Sequence, residues 1–139
     1  MIYLASSWKN PYHNSTLTLL RSWGYEVYDY RNVKFSWKDI DPNYQSWSMD
    51  AFGKSLDQPI PSKTFRTDYT ALLDCHALVL LLPSGISSHI EAGWVKGHKK
   101  PVIVYSPTGV IEKDLMYKVF DTLVDGEGKL KEVLSWILN

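Results

Sequence analysis

Ala77-Leu78-Val79-Leu80-Leu81-Leu82-Pro83-Ser84-Gly85-Ile86-Ser87-Ser88-His89-Ile90-Glu91-Ala92-Gly93 joins an unbroken apolar run to a small, hydroxyl-rich turn. Six apolar residues in a row, without alternation, mark a strand covered on both faces. Pro83-Ser84-Gly85 breaks that strand. Ser88 to Lys96 reads as the helix that follows, and Gly97 stops it. A strand buried on both sides and leading into a helix is the unit of a parallel sheet.

The same unit recurs in both directions along the chain. Upstream, Ile2 to Ala5 is short and β-prone. Pro11 fits the first turn of a helix with Asn10 as its cap. Leu17, Leu19, Leu20 and Trp23 give that helix an apolar stripe that Gly24 ends, and Tyr25 to Tyr30 reads as the second strand. Arg31 to Ser62 is long and irregular, with Pro42, Pro59 and Pro61. Ser48 to Leu56 is the one stretch in it that suits a short helix, and a loop of this length commonly covers a site. Helical character resumes from Ser62 to Asp74. Downstream come a strand over Pro101 to Tyr105, a helix over Glu112 to Val119, a short strand over Thr122 to Val124 and a last helix over Lys129 to Leu138.

Strand and helix alternate five times, which predicts an α/β fold with a five-stranded parallel sheet and helices on both faces. The expected strand order is flavodoxin-like, 2-1-3-4-5. Ligands then bind outside the carboxyl ends of the first and third strands, where the winding reverses. The loops at that edge are Ser6-Ser7-Trp8 and Pro83-Ser84-Gly85. A signalling receiver of this fold class needs an acidic cluster there to hold Mg²⁺. Serines and a proline stand in those places instead, so the receiver reading is discounted.

Composition narrows the class further. A chain of 139 residues suits one domain, taken here as 1–139, and 45% hydrophobic with 22% charged residues excludes global disorder. The formal net charge of +0 argues against a general nucleic-acid binder and leaves little repulsion to oppose self-association. With a single cysteine, Cys75, no internal disulfide or thiolate metal site can form, and the residue reads as buried rather than reactive. No run is long and apolar enough to span a bilayer, and Met1 to Ala5 lacks the basic flank of a signal peptide. A cytoplasmic location without membrane contact is therefore expected. Six Trp and nine Tyr, many between Tyr25 and Phe52, either roof the core or form a binding surface.

The corner around Glu91 carries the chemistry. Free backbone N–H groups at the start of a helix suit a phosphate or carboxylate. Glu91 itself has two readings. Ser88-His89-Ile90-Glu91 matches a capping box, in which Glu91 would fold back on the Ser88 amide. Alternatively, Glu91 faces the ligand. His89 is a first-turn residue that faces solvent, packs on the loop or acts as a base. Tyr3 is a core tyrosine or a site residue, and Asp68 a helix surface charge or a site acid.

Tyr3-Leu4-Ala5, Asp68, Leu78 to Leu82, Ser87-Ser88-His89-Ile90-Glu91-Ala92-Gly93-Trp94 and Lys100-Pro101-Val102 together resemble the nucleoside 2-deoxyribosyltransferase superfamily. The resemblance covers roughly Ile2 to Val104 and is weak over Arg31 to Ser62. Its most specific part is the pair Glu91 and Gly93 after the third strand. It implies Glu91 as nucleophile, Asp68 as the acid that supplies or orients a proton for the leaving base, and Tyr3 as the aromatic that orients the nucleophile. The superfamily includes deoxynucleoside base transferases and nucleoside monophosphate N-glycosidases. More distantly, catalytic Toll/interleukin-receptor domains cleave NAD with a comparable glutamate.

One departure matters. Several deoxyribosyltransferases carry an Asp shortly before the nucleophile, and Ser84 to His89 contains no acid. Serines there are closer to the monophosphate hydrolases. The expected ligand is thus a nucleotide or nucleoside, with Ser84, Gly85, Ser87 and Ser88 as an anion cradle and Ser6, Trp8 and His89 as further contacts. Trp37 and Trp47 are candidates for base stacking. No cofactor, metal or nucleic-acid polymer is expected. Family analogy implies a homodimer or higher homo-oligomer, with Asp114-Leu115-Met116-Tyr117 offered to a neighbouring subunit. The competing expectation is a non-catalytic nucleotide sensor using the same cleft.

Overall fold

Five short strands carry the architecture of the computed structural model, which describes residues 1–139. The elements are β1 (Ile2–Ala5), α1 (His13–Ser22), β2 (Val27–Asp29), α2 (Trp37–Ile40), α3 (Met49–Ser55), α4 (Pro59–Asp74), β3 (Ala77–Leu81), α5 (Ile86–Gly97), β4 (Val102–Tyr105), β5 (Thr122–Val124) and α6 (Glu127–Leu138). All strand pairs are parallel and the order is β2-β1-β3-β4-β5, as the alternation predicts.

Strand alternation divides the core into two layers. Ile2, Leu4, Val79, Leu81, Ile103 and Tyr105 meet Leu17 and Leu20 of α1 and Leu130 and Leu134 of α6. Tyr3, Ala5, Leu78, Leu80, Val102 and Val104 meet Ala71 and Leu72 of α4 and Ala92 and Val95 of α5. Each large apolar side chain so buried stabilises the fold by roughly 1.5–3 kcal/mol. Cys75 lies in the second layer, with its thiol pushed up chiefly by burial, in line with the buried reading.

Several boundaries differ from those the sequence suggests. Helix α4 begins at Pro59, three residues before Ser62, because prolines are tolerated in a first turn whose N–H groups lack partners anyway. Asn10 does not cap α1, which starts at His13; its Oδ1 accepts from the Tyr12 amide in a turn ahead of the helix. Ser48 does cap α3, accepting from the Ala51 amide, and the shorter α2 is capped by Ser36. The second strand is only Val27–Asp29, since Tyr30–Asn32 coils into a 3-10 turn held by the Asp29 carboxylate. The helix expected over Glu112 to Val119 is a 3-10 turn, Leu115–Val119, capped by Asp114. The turn closes at Phe120, whose backbone is already extended.

Candidate active site

The exits of β1 and β3 are tied together. Asn10 Nδ2 donates to the carbonyls of Leu81 (3.1 Å) and Pro83 (2.9 Å). Arg31 donates to the carbonyls of Ser7, Trp8 and Asn10, so its guanidinium clamps the loop after β1. Neither residue signals this role by type or spacing, because each acts through backbone carbonyls that only the folded chain brings within reach.

Helix α5 starts earlier than its sequence suggests. Gly85 is the N-cap and the first helical residue is Ile86. Ser88 therefore sits inside the first turn and is buried, which leaves no capping box for it to form with Glu91. The Glu91 side chain turns to β1, where the Tyr3 hydroxyl donates to its Oε2.

Tyr3 and Tyr28 are register partners on adjacent strands, and their rings stack with centroids 5.1 Å apart. Each hydroxyl holds one acid from a helix above. Tyr3 donates to Glu91 of α5, and Tyr28 donates to Asp68 Oδ1 of α4 at 2.7 Å. Alternation along β2 puts Tyr28 on the opposite face from Val27 and Asp29, but only the β1–β2 register sets it beside Tyr3.

Burial raises the Glu91 carboxyl to about 7; the Tyr3 hydrogen bond opposes the rise and the charge of Asp68 adds to it. Burial also raises Asp68, against the pull of the Tyr28 hydroxyl. Burial, then the charge of and hydrogen bond to Glu91, push Tyr3 far above its usual value, so it remains an O–H donor. Two partly buried carboxyl groups, both reluctant to ionise, are arranged to divide protonated and ionised roles between them.

Glu91 and Asp68 face a cavity of about 610 Å³ at the carboxyl edge of the sheet. Ser6, Trp8, Gly85, Ser87 and Ser88 also line it, so most of the expected contacts converge on one space. Trp37 and Phe35 form its far wall. Lys9 and Thr64 line it too and were not singled out from sequence; Lys9 is the cleft's only lysine or arginine.

Two expected contacts lie elsewhere. Ser84 Oγ donates to the Leu81 carbonyl at 2.6 Å and does not line the cavity. His89 bridges the Gly85 carbonyl and the Tyr117 hydroxyl and lines a neighbouring depression with Met116 and Phe120. The helical turn sends residue 89 to a different face from residues 88 and 91. Trp47 packs edge-on against Trp37 rather than lining the cavity. No three His, Cys, Asp or Glu side chains gather as a metal set, and no helix is long and apolar enough to cross a membrane.

No protein-family model and no curated protein matches the chain. Solved structures do match. A 2-deoxyribosyltransferase from Bacillus psychrosaccharolyticus superposes with a TM-score of 0.66 at 18% identity, covering 94% of this chain and 89% of the other. The chain has the nucleoside 2-deoxyribosyltransferase fold. A CMP N-glycosidase from Clostridium botulinum, BcmB, also shares this deoxyribosyltransferase-like fold, with a TM-score of 0.54, 17% identity, and coverage of 96% of this chain and 97% of that one. Within that fold, Asp68 and Glu91 line the cavity at the β1/β3 reversal, and Tyr3 of β1 donates to Glu91 from beneath it.

Proposed function

We propose that this protein cleaves the N-glycosidic bond of a nucleotide or nucleoside, with Glu91 as nucleophile and either water or a second base as acceptor. The observation that carries the reading is the Tyr3–Glu91 hydrogen bond at the floor of a cleft whose other acid is Asp68. The solved relatives, a deoxyribosyltransferase and a CMP N-glycosidase, support the same chemistry.

In this reading ionised Glu91 attacks the anomeric carbon. The C–N bond breaks, its electron pair leaves with the base nitrogen, and Asp68 supplies or orients the proton that this nitrogen takes up. Water or another base then attacks the same carbon, passes its proton to the Asp68 carboxylate and releases Glu91. Tyr3 orients the carboxylate that reacts. A hydrogen-bond donor on a nucleophile lowers its basicity, and burial offsets that loss.

A phosphorylated ligand is favoured. Lys9 supplies positive charge, Ser87 a hydroxyl, and the first turn of α5 its free amides at the Gly85 end. Trp8 and Trp37 supply aromatic surface for the base. Homo-oligomerisation is part of the proposal. It is supported by the exposed apolar side chains Ile86 and Ile90 on α5 and Leu115 and Met116 in the turn after β4.

The test is incubation with nucleosides, their 5′-monophosphates and NAD, with products separated by chromatography. Release of free base from one class is the expected result. Saturable binding with no release after long incubation supports a sensor and contradicts the catalytic reading.

A further inference from the structure

Beneath the cleft runs a buried chain of side chains that the proposed reaction does not use. Ser6 Oγ lies 2.6 Å from His13 Nδ1, and His13 Nε2 lies 2.8 Å from Asp29 Oδ1. His13 is fully buried at the start of α1, and Asp29 closes β2. Ser6 is 5% exposed, and that sliver belongs to the cavity wall.

Every proton in this chain can be placed. Asp29 Oδ1 also takes the Arg31 amide N–H at 3.0 Å, so it is an acceptor and His13 Nε2 must carry the hydrogen between them. The groups facing the imidazole are Asp29, the Arg31 charge, the Tyr30 ring edge-on at 5.2 Å and Ser6. Burial is the largest influence on His13 and lowers its pKa, Arg31 lowers it further, and Asp29 opposes both. Nδ1 of the neutral ring is then a lone pair, and the Ser6 O–H points at it.

Tyr30 cannot restore a donor to Ser6. Its hydroxyl hydrogen goes to the Ser6 carbonyl at 2.7 Å, although its oxygen is 3.2 Å from Ser6 Oγ. The Ser7 carbonyl, 3.4 Å from Ser6 Oγ, is too distant to compete for the serine proton. Ser6 therefore offers the cleft lone pairs and no hydrogen.

We propose that His13, held by Asp29, is a positioning residue that fixes the Ser6 hydroxyl as a hydrogen-bond acceptor, so that this end of the cleft selects a ligand hydroxyl or amine N–H and disfavours an oxyanion. The inference rests on the reading of the cleft as a nucleotide site and adds an orientation to it. Phosphate belongs at the Lys9, Ser87 and α5 end, and a donor group of the sugar or base belongs at Ser6. An acceptor buried without a donor is costly, which gives the contact its discriminating power.

The experiment titrates the four ribonucleoside 5′-monophosphates by calorimetry, together with their 2′-deoxy and 3′-deoxy forms and, for the three bases with an exocyclic amine, the amine-dimethylated forms. Wild type is expected to lose about 10- to 100-fold in affinity when one particular donor is removed. In Ser6→Ala that penalty shrinks to less than about 3-fold. His13→Gln keeps a donor for Asp29 but no longer reaches Ser6, and is expected to lose the same discrimination. Nitrogen NMR of the wild-type imidazole at pH 7 reads the Nε2–H tautomer directly and needs neither variant. An Nδ1–H tautomer or an imidazolium there overturns the proposal. So does a donor penalty unchanged in Ser6→Ala, or the absence of any penalty in a wild type that binds nucleotides. If no nucleotide binds, the cleft reading falls and takes this inference with it.

Discussion

The floor and the roof of the cleft are built on opposite principles. The floor is Tyr3, Tyr28, Asp68 and Glu91, with each tyrosine hydroxyl donating to one carboxylate and Tyr3 without exposed surface. The roof, residues 31–54, contains no buried residue at all. It is held by aromatic edges: Phe35 on Trp37 at 4.8 Å, and Trp37 against Trp47 at 5.7 Å and Phe52 at 5.5 Å. Bond cleavage needs groups fixed to a fraction of an ångström, whereas stacking on a base tolerates movement. Floor substitutions should therefore act on kcat and roof substitutions on KM.

The largest effect is expected at Glu91. Glu91→Gln should lower kcat by about 10³-fold or more, as removal of a nucleophile does, while keeping the Tyr3 hydrogen bond. The same variant should be more stable above pH 7. Because the folded carboxyl titrates near 7 and an unfolded one lower, Glu91 adds stability that is complete at acid pH and lost as pH rises through that window. Removing the charge should return about 2–3 kcal/mol at pH 8, read from denaturant unfolding. Activity and stability then move in opposite directions, which loss of a structural cap cannot produce.

Asp68→Asn comes next, with a loss of about 10²-fold in kcat for a base that is a poor leaving group, and less for an activated one. For wild type, log kcat/KM should fall with unit slope as pH drops below about 7, where Glu91 of the free enzyme takes up its proton. A flat profile from pH 5 to 8 contradicts the ionised role. Smallest is the roof: Trp37→Ala should raise KM by about 10-fold with kcat nearly unchanged, since stacking contributes roughly 1–3 kcal/mol per base. An equal loss in kcat would show that the roof shares in the chemistry and would erase the contrast.

Most of the sheet was legible because its signals are local. The apolar run Ala77 to Leu82 and the break at Pro83 state a buried strand and its end without reference to the rest of the chain. Glu91 was harder. The pattern from Ser88 to Glu91 is a valid capping box, and only the early helix start at Gly85 disarms it. The turn ahead of that start is tied to Asn10, a residue 73 positions from Pro83. Tyr28 and His13 escaped for a similar reason. Their partners, Asp68 and the pair Ser6 and Asp29, are brought to them by strand register and helix docking, and no spacing along the chain encodes those meetings. His89 is the converse case: it neighbours Ser88 in sequence, yet its side chain meets Tyr117 rather than the cleft.

The most direct test of Glu91 as nucleophile is the intact mass of enzyme quenched during turnover of a 2′-fluoro nucleotide, whose fluorine slows release of the sugar. The account predicts a mass increase equal to the fluorinated sugar 5′-phosphate, mapped to the peptide that contains Glu91 and absent from Glu91→Gln. Base release without any adduct, at a rate that Glu91→Gln retains, would contradict it.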